Sequence, residues 1–495
     1  MDTSIILSLL KPDVLLYCCI GTVFGILVGA IPGLNGAVGI SLLLPITYVL
    51  PPEVGLIMLG GIYMGSLYGG SITAILLNIP GTVVASCTAW EGYPMAQQGR
   101  AREALYYSAF SSTFGGLIGV LALIFFTPPL ARFGLKFGPP EMFFLSLIGL
   151  TAVSCLGAKN LFKSVLSVCL GLFITTIGYD LIDGAKRFTF GIRNLNAGIG
   201  VVIVVIGVYC FAEVYINIGK NKAAGQINSV GEKIARLFVW KNIFKHYPVL
   251  LKSSLLGMIF GILPGIGASL PTFMAYAEAK RTSKSPETFG HGNVEGIIAA
   301  ESANNAVCGG SMVPLLGLGV PGSATAAIIG GALSVHGIMA GPDLFVKRPD
   351  VAWIFLYGML FTILAMYLVG TYGVGYFSYI LKVNIRYLMP VIFVFSMFGA
   401  YSISNSVFDI YVVAIFAALG VLFRKCKIPL PPLIIGVVLG PLLERDFRRS
   451  LQLANASGQS FVGFILSKPF SIALLAIFVV LSLLFLNVSR KQRKK

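Results

Sequence analysis

The sequence predicts an all-α polytopic membrane protein built from two related halves, and three observations carry that prediction. Of 495 residues, 56% are hydrophobic and 11% charged, against about 25% charged in a soluble globular chain. Mean hydropathy is +0.88, and the apolar residues fall into runs of about 20, the length that crosses a hydrocarbon core. Finally, one set of glycine and proline motifs occurs twice in the same order along the chain.

Composition narrows the partners. The 58 glycines suit close helix contact and unwound backbone. The net charge of +17 sits in short connectors between apolar runs, so it reads as loops facing anionic lipid, not as a nucleic-acid surface. Eight cysteines, mostly single and inside apolar runs, show no CxxC or CxxH spacing. They read as small core residues, not as a disulfide framework or zinc site. The opening MDTSIILSLLKPD has an early acid and no small-residue cleavage site, and reads as a retained lead-in to the first span.

Taken in order, the first apolar run covers about Val14 to Ala30 and stops at Pro32-Gly33. A second, Gly36 to Leu50, ends at Pro51-Pro52; both have the length of half-spans meeting at a break. Val54 to Asn78 follows, and then Trp90 to Arg100, whose composition reads as an ordinary turn. Further spans are expected near Ala104–Thr127, Met142–Gly157, Ser164–Tyr179 and Ala197–Ile216. Asp180 and Asp183, beside Lys186 and Arg187 at a span end, read as an interfacial ion pair and not a catalytic acid pair.

Asn217 to Lys252 is the longest polar segment and strongly basic, so it marks the boundary between halves. The expected organisation is a first transmembrane repeat over 1–216, a connector over 217–246 and a second repeat over 247–495. The second half opens at about Pro248–Gly261, breaks at Pro264-Gly265 and resumes through Tyr276. After the charged stretch Glu278–Glu295 and the segment Asn293–Pro342, later spans lie near Val351–Ile380, Leu388–Ser402, Phe408–Phe423, Leu433–Leu443 and Phe461–Leu486. The tail Arg490–Lys495 holds the C-terminus in the cytoplasm by the positive-inside rule, and the central basic loop points the same way. Inverted repeats need an odd number of crossings per half, so inverted and parallel repeats both stay open here, with half-span breaks favouring inversion.

Asn293–Pro342 is apolar enough for a membrane yet reads as a poor continuous helix. Gly309-Gly310 and Pro321-Gly322 are expected to interrupt it, and Glu301, Asn304, Asn305 and Ser311 place polar groups inside it. In hydrocarbon, broken backbone survives only where protein buries it or it lines a wet cavity. The stretch has a counterpart: Gly69-Gly70-Ser71 precedes Asn78-Ile-Pro80-Gly81-Thr82, as Gly309-Gly310-Ser311 precedes Gly319-Val-Pro321-Gly322-Ser323. Upstream, Gly25-x3-Gly29 leads to Pro32-Gly33, as Gly257-x3-Gly261 leads to Pro264-Gly265. Matched interruptions in two halves point to a transporter binding site.

The chemistry follows from the breaks. A helix restarting after Pro-Gly presents free N–H groups and a partial positive charge, a ready anion site. Asn35, Thr82, Gly267 and Ser323 stand just past the four breaks, where they cap or donate to an oxygen ligand. With the break residues Pro32, Gly33, Asn78, Pro80, Gly81, Pro264, Gly265, Pro321 and Gly322, and with Gly70, Ser71, Gly310, Ser311, Asn304 and Asn305, they form the expected substrate site, and no basic side chain lies between Glu301 and Asp343 except a charged form of His336. Glu301, one turn before Asn305 and on the same face, is the expected coupling-ion residue, for Na+ or H+. Its structural alternative is pairing with a base such as Arg100 or Lys280. An intramembrane hydrolase lacks its usual parts: three histidines, no HExxH, no GxSxG. A channel suits these duplicated breaks less well than alternating access.

As a set, Tyr68-Gly-Gly-Ser71 through Asn78-Ile-Pro-Gly81, Glu91-Gly-Tyr-Pro-Met-Ala96, Glu301-Ser-Ala-Asn-Asn305, Leu318-Gly-Val-Pro-Gly322 and His336-Gly337 resemble the large membrane subunit of the tripartite tricarboxylate transporter family, the TctA-like proteins. Three positions depart from the usual pattern: Glu91 for Asp, Ala300 for Pro and Ala340 before Gly341-Pro342. The resemblance implies ion-gradient-driven symport of tri- or dicarboxylates across the bacterial inner membrane. It also implies two protein partners, a periplasmic solute-binding protein and a small membrane subunit. A stand-alone carrier or channel for another organic anion is the alternative, and a homodimer stays open.

Overall fold

The computed structural model describes residues 3–31, 34–156, 161–180, 182–217, 236–264, 267–373, 376 and 385–493. Nearly all of them are helical, and the one sheet is a two-residue antiparallel pair, Gly178↔Arg187 and Tyr179↔Lys186. In the first half the main helices are α1 (Pro12–Gly29), α2 (Gly36–Thr47), α3 (Pro52–Leu77), α4 (Ala85–Gln97), α5 (Ala101–Gly134), α6 (Pro139–Leu156) and α7 (Leu161–Thr175). A helical run over 201–217, with a π-helical turn at Ile206–Phe211, completes it. The second half holds α8 (Tyr247–Ile262), α9 (Ser269–Thr282), α10 (Val294–Leu318), α11 (Ala324–Val335), α12 (Pro349–Tyr372), α13 (Ile385–Ser404), α14 (Val407–Lys425), α15 (Leu430–Ala456) and α16 (Pro469–Arg493). Among the described residues, α1, α3, α5, α12 and α14 are long and apolar enough to cross a membrane. The chain is an all-α polytopic membrane protein.

Two readings of the sequence are corrected. The stretch Trp90–Arg100 is not a turn, because Trp90–Gln97 completes α4. Its polar residues are consumed by tertiary contacts: the Glu91 carboxylate is fully buried and accepts from Tyr276 Oη at 2.6 Å and from the N–H groups of Gly290, Gly292 and Asn293 at 2.6, 3.0 and 2.8 Å. Likewise, Gly309-Gly310 does not interrupt the helix that carries Glu301. α10 runs unbroken through both glycines to Gly319, and Gly69-Gly70 lies inside α3 in the same way.

These glycines serve contact, not bending. A methyl group on Gly309 would stand 2.2 Å from the Gly119 carbonyl carbon and oxygen, and one on Gly115 only 2.0 Å from the Ser302 carbonyl oxygen. Backbones of α5 and α10 therefore touch directly, the close approach that small residues permit where lipid supplies no hydrophobic drive. The same holds for α1 on α3, where methyls on Gly25 and Gly29 would meet the Ile62 and Ser66 carbonyls at 2.5 and 2.2 Å.

The contacts recur in matched form. A methyl on Gly257 of α8 would meet the Ala303 carbonyl at 2.2 Å and one on Gly261 would meet Val307 at 3.1 Å, as methyls on Gly25 and Gly29 would meet Ile62 and Ser66. Gly69 meets the Ile26 carbonyl as Gly310 meets that of Met258. α3 ends in the left-handed Asn78 (φ 54°) and α10 in the left-handed Gly319 (φ 78°). Just beyond, Gly81 N–H donates to Gly70 O at 3.2 Å and Gly322 N–H to Ser311 O at 3.1 Å. Side chains then link the two equivalent helices in opposite order: Ser71 to Glu301, Leu67 to Asn304, Tyr63 to Ser311. α3 and α10 thus run antiparallel, the relation that a two-fold axis across the helices produces.

Asp180 and Asp183 do belong to an ion cluster, but Arg448 of α15 is the partner they share. Arg187 donates to Glu444 at 2.6 Å and stands 3.4 Å from Asp180. The N–H groups of Asp183 and Ile182, with Arg448, hold the Asp180 carboxyl below the usual carboxylate range.

Backbone contact at Gly115 sets a clear expectation. Gly115→Ala drives its Cβ into the Ser302 carbonyl and should cost about 1–3 kcal/mol or more, read as lost folded protein and a lower Tm. Gly200→Ala, at an ordinary φ of −64° with its nearest neighbour 3.9 Å away, should change neither. Equal stability of both variants would show that the α5–α10 contact is not tight.

Candidate functional site

The first and fourth breaks bring two helix N-termini together. Asn35 caps α2, its Oδ1 accepting from Val38 N–H at 3.1 Å, and Ser323 caps α11, its Oγ accepting from Ala326 N–H at 3.1 Å. A methyl on Gly36 would lie 3.7 Å from Thr325 Cγ2 and 2.4 Å from Ser66 Oγ, so α2 and α11 begin side by side against α3. Between them Tyr63 Oη reaches Ser323 Oγ at 3.0 Å and Ser311 Oγ at 3.3 Å, and Ser323 Oγ lies 3.4 Å from Ser311 Oγ. All three side chains are buried. The node is closed to solvent in this conformation.

The other end of the α3–α10 seam holds Glu301. Its side chain is fully buried; Oε1 accepts from Ser71 Oγ at 2.5 Å and from Thr88 Oγ1, and Oε2 accepts from Ser112 Oγ at 2.7 Å. Three helices, α3, α4 and α5, each send one hydroxyl to this carboxylate. Arg100, the anticipated basic partner, is instead bound to Glu103 through two 2.8 Å hydrogen bonds, and among the described residues only hydroxyls bond Glu301. Ionised, the group would accept strong charge-assisted bonds from these hydroxyls and would still hold its full negative charge inside the protein, which is costly unless something compensates it.

Between the two ends run the asparagines. Asn304 Nδ2 donates to Leu67 O at 3.4 Å while its Oδ1 is unpartnered. Asn305 is fully buried with neither amide atom bonded. From Glu301 to Ser311 the helix rises about 15 Å, so carboxylate, amides and hydroxyl node form one polar seam.

The remaining expected residues divide. Gly81 packs over Gly29 and Gly70, and Gly322 over Gly261 and Ser311. Gly70 and Tyr63 are seven residues apart on α3, about 10 Å along its axis, so these two turns flank the seam. Asn78 and Pro80 form the turn into Gly81, and Val320 and Pro321 are buried in the matching turn. Thr82 Oγ1 is buried without a partner, where its counterpart Ser323 caps a helix. Gly267, left-handed at φ 64°, has open space beside it beyond the partly exposed Pro264. Pro32, Gly33 and Gly265 lie outside the described residues.

Sequence reasoning missed Tyr63, Ser66, Thr88, Ser108 and Ser112. Thr88 was hidden because its helix reads as a connector. Tyr63 carries a usable signal: the residue shift that superposes Gly81 on Gly322 also places Tyr63 on Asn304.

The family described as Tripartite tricarboxylate transporter TctA matches residues 15–435. An uncharacterized 52.8 kDa protein in the TAR-I ttuC′ 3′ region of Agrobacterium vitis is 38% identical over 471 residues, covering 94% of this chain and 92% of that protein. A second uncharacterized protein, in the TAR-II ttuC′ 3′ region of the same organism, is 35% identical over 238 residues, covering 48% of this chain and 97% of that protein. No solved structure matches significantly. Matched over most of its length, this multi-pass membrane chain belongs to the tripartite tricarboxylate transporter TctA family.

Proposed function

We propose that the chain is the large permease subunit of a tripartite, binding-protein-dependent importer of tri- or dicarboxylates, driven by an ion gradient across the bacterial inner membrane. The observation that carries this reading is the single polar seam, with two capped helix N-termini at one end and a buried carboxylate at the other. An anionic substrate carboxylate fits the first end. The leading N–H groups of α2 and α11 have no intrahelical acceptor, their dipoles together offer about one positive charge, and Tyr63, Ser311 and Ser323 add hydroxyl donors. A site without arginine or lysine binds modestly and releases readily, as transport requires. The coupling ion fits the second end, where Glu301 supplies the charge.

Alternating access follows from the antiparallel pair. Because the equivalent helices α3 and α10 meet across the seam, a small rocking of one half against the other opens the node to one side at a time. A solute-binding protein delivers substrate from the periplasmic side and a small membrane subunit completes the assembly. The basic tail Arg490–Lys495 keeps the C-terminus in the cytoplasm.

Two measurements test this. In membrane vesicles carrying the chain with its partner subunits and binding protein, a labelled tricarboxylate should accumulate when a Na+ or H+ gradient is imposed. Accumulation that ignores both gradients would refute ion-driven transport. The asparagines should separate by role. Asn304→Ala loses the bond to Leu67 O, about 1 kcal/mol, and should lower abundance, whereas Asn305→Ala should keep abundance and lose uptake. Full uptake in both variants would remove the pair from the site.

A further inference from the structure

The Glu301 surroundings specify more than an acidic coupling residue. Beyond Ser71, Thr88 and Ser112, Ser108 stands one turn before Ser112 on the same face of α5 and turns its hydroxyl to the same carboxyl group. It is fully buried, as is Asn305 one turn along α10, whose amide oxygen and nitrogen are both unpartnered. Buried polar atoms without partners are rare in native proteins. Here the unpartnered amide of Asn305 stands one turn from a buried acid that no base pairs with among the described residues, which marks a place for a ligand.

We propose that Glu301, Ser71, Thr88, Ser112 and Ser108 form a binding site for one dehydrated Na+ ion, an inference that rests on the transport reading only for the ion's role in coupling. The donor set is entirely oxygen, which selects a hard cation over a soft transition metal. Its formal charge is a single negative one, so a monovalent ion neutralises the site whereas Mg2+ or Ca2+ would leave an unpaired positive charge in a low-dielectric interior. Each hydroxyl donates its proton to the carboxylate or to a neighbour and still has lone pairs to turn toward an ion. A proton carrier needs only the carboxylate; four convergent hydroxyls supply the oxygen shell that a metal ion must regain on losing water. The walls cannot widen for a larger ion. Gly115 touches the Ser302 carbonyl, one residue from Glu301, and Gly119 touches that of Ala306, which fixes the separation of Ser112 from Glu301.

The test is direct binding of 22Na+ to the purified full-length chain in lipid nanodiscs at constant ionic strength. Saturable binding is expected, displaced by NaCl but not by equal KCl or MgCl2. Ser108→Ala and Ser112→Ala should each weaken it roughly five- to tenfold, as loss of one neutral ligand worth about 1 kcal/mol implies, and Glu301→Gln should abolish it. Absence of saturable 22Na+ binding by protein that melts cooperatively would overturn the site, as would unchanged affinity in the correctly folded Ser108→Ala variant. Proton-driven carboxylate uptake without 22Na+ binding would refute the site while leaving the transport reading intact. Sodium binding without any carboxylate uptake would uphold the site and refute that reading.

Discussion

Direct backbone contact at glycine is the constraint on which the structure depends. In hydrocarbon, helices gain little from apolar association, so their proximity rests on van der Waals fit and on small residues that let backbones meet. Gly25 and Gly29 seat α1 on α3, Gly257 and Gly261 seat α8 on α10, and Gly115, Gly119 and Gly309 lock α5 to α10. Each contact leaves no room for even a methyl group. The outcome is a frame whose helices have fixed separations, and only such a frame can hold polar side chains at hydrogen-bond distance without water.

The frame makes the polar seam affordable. Glu301 would be prohibitive on a lipid-facing helix, but α10 is buried along its length from Gly296 to Gly317, and three neighbouring helices each present a hydroxyl. Neutral donors lower the cost of the charge without cancelling it. In the proposed sodium site that uncompensated charge would give the cation differential affinity, the only means by which a ligand can bias one conformation over another. An arginine in the same place would have given a stable and inert ion pair.

Much of this was legible in the sequence, and the failures have physical causes. The Pro-Gly breaks, the duplicated motifs, the capping roles of Asn35 and Ser323 and the burial of Glu301 all follow from local residue types. Gly309-Gly310 misled because a glycine pair in an apolar run looks the same whether it bends a helix or admits a neighbour; Gly119, far away in sequence, decides between the two. Residues Trp90–Gln97 looked like a turn because Gly92 and Pro94 are poor helix formers in a short polar run, and the contacts of Glu91 with Tyr276 and the Gly290–Asn293 backbone override them. Ser108 and Ser112 are ordinary residues of a span until a carboxylate is placed beside them. Long-range partnership, not local propensity, brought these hydroxyls to Glu301.

The repeat also shows why the chemistry is asymmetric. The shift that carries Ile62 to Ala303 and Gly81 to Gly322 carries Gly60 to Glu301, Tyr63 to Asn304 and Thr82 to Ser323. Gly60 lies against Met359 and Phe355, in apolar surroundings where a carboxylate would have no donors. Duplication therefore supplied a symmetric frame of glycine contacts and turns, and divergence placed the charge in one half alone. In an antiparallel pair, equivalent positions fall at opposite ends of the shared seam. Putting the acid on α10 and the tyrosine on α3 thus separates them from their counterparts and leaves the carboxyl group at one end of the seam and the hydroxyl node at the other. Two identical halves would have presented two carboxylates, or none, to a substrate that is itself an anion.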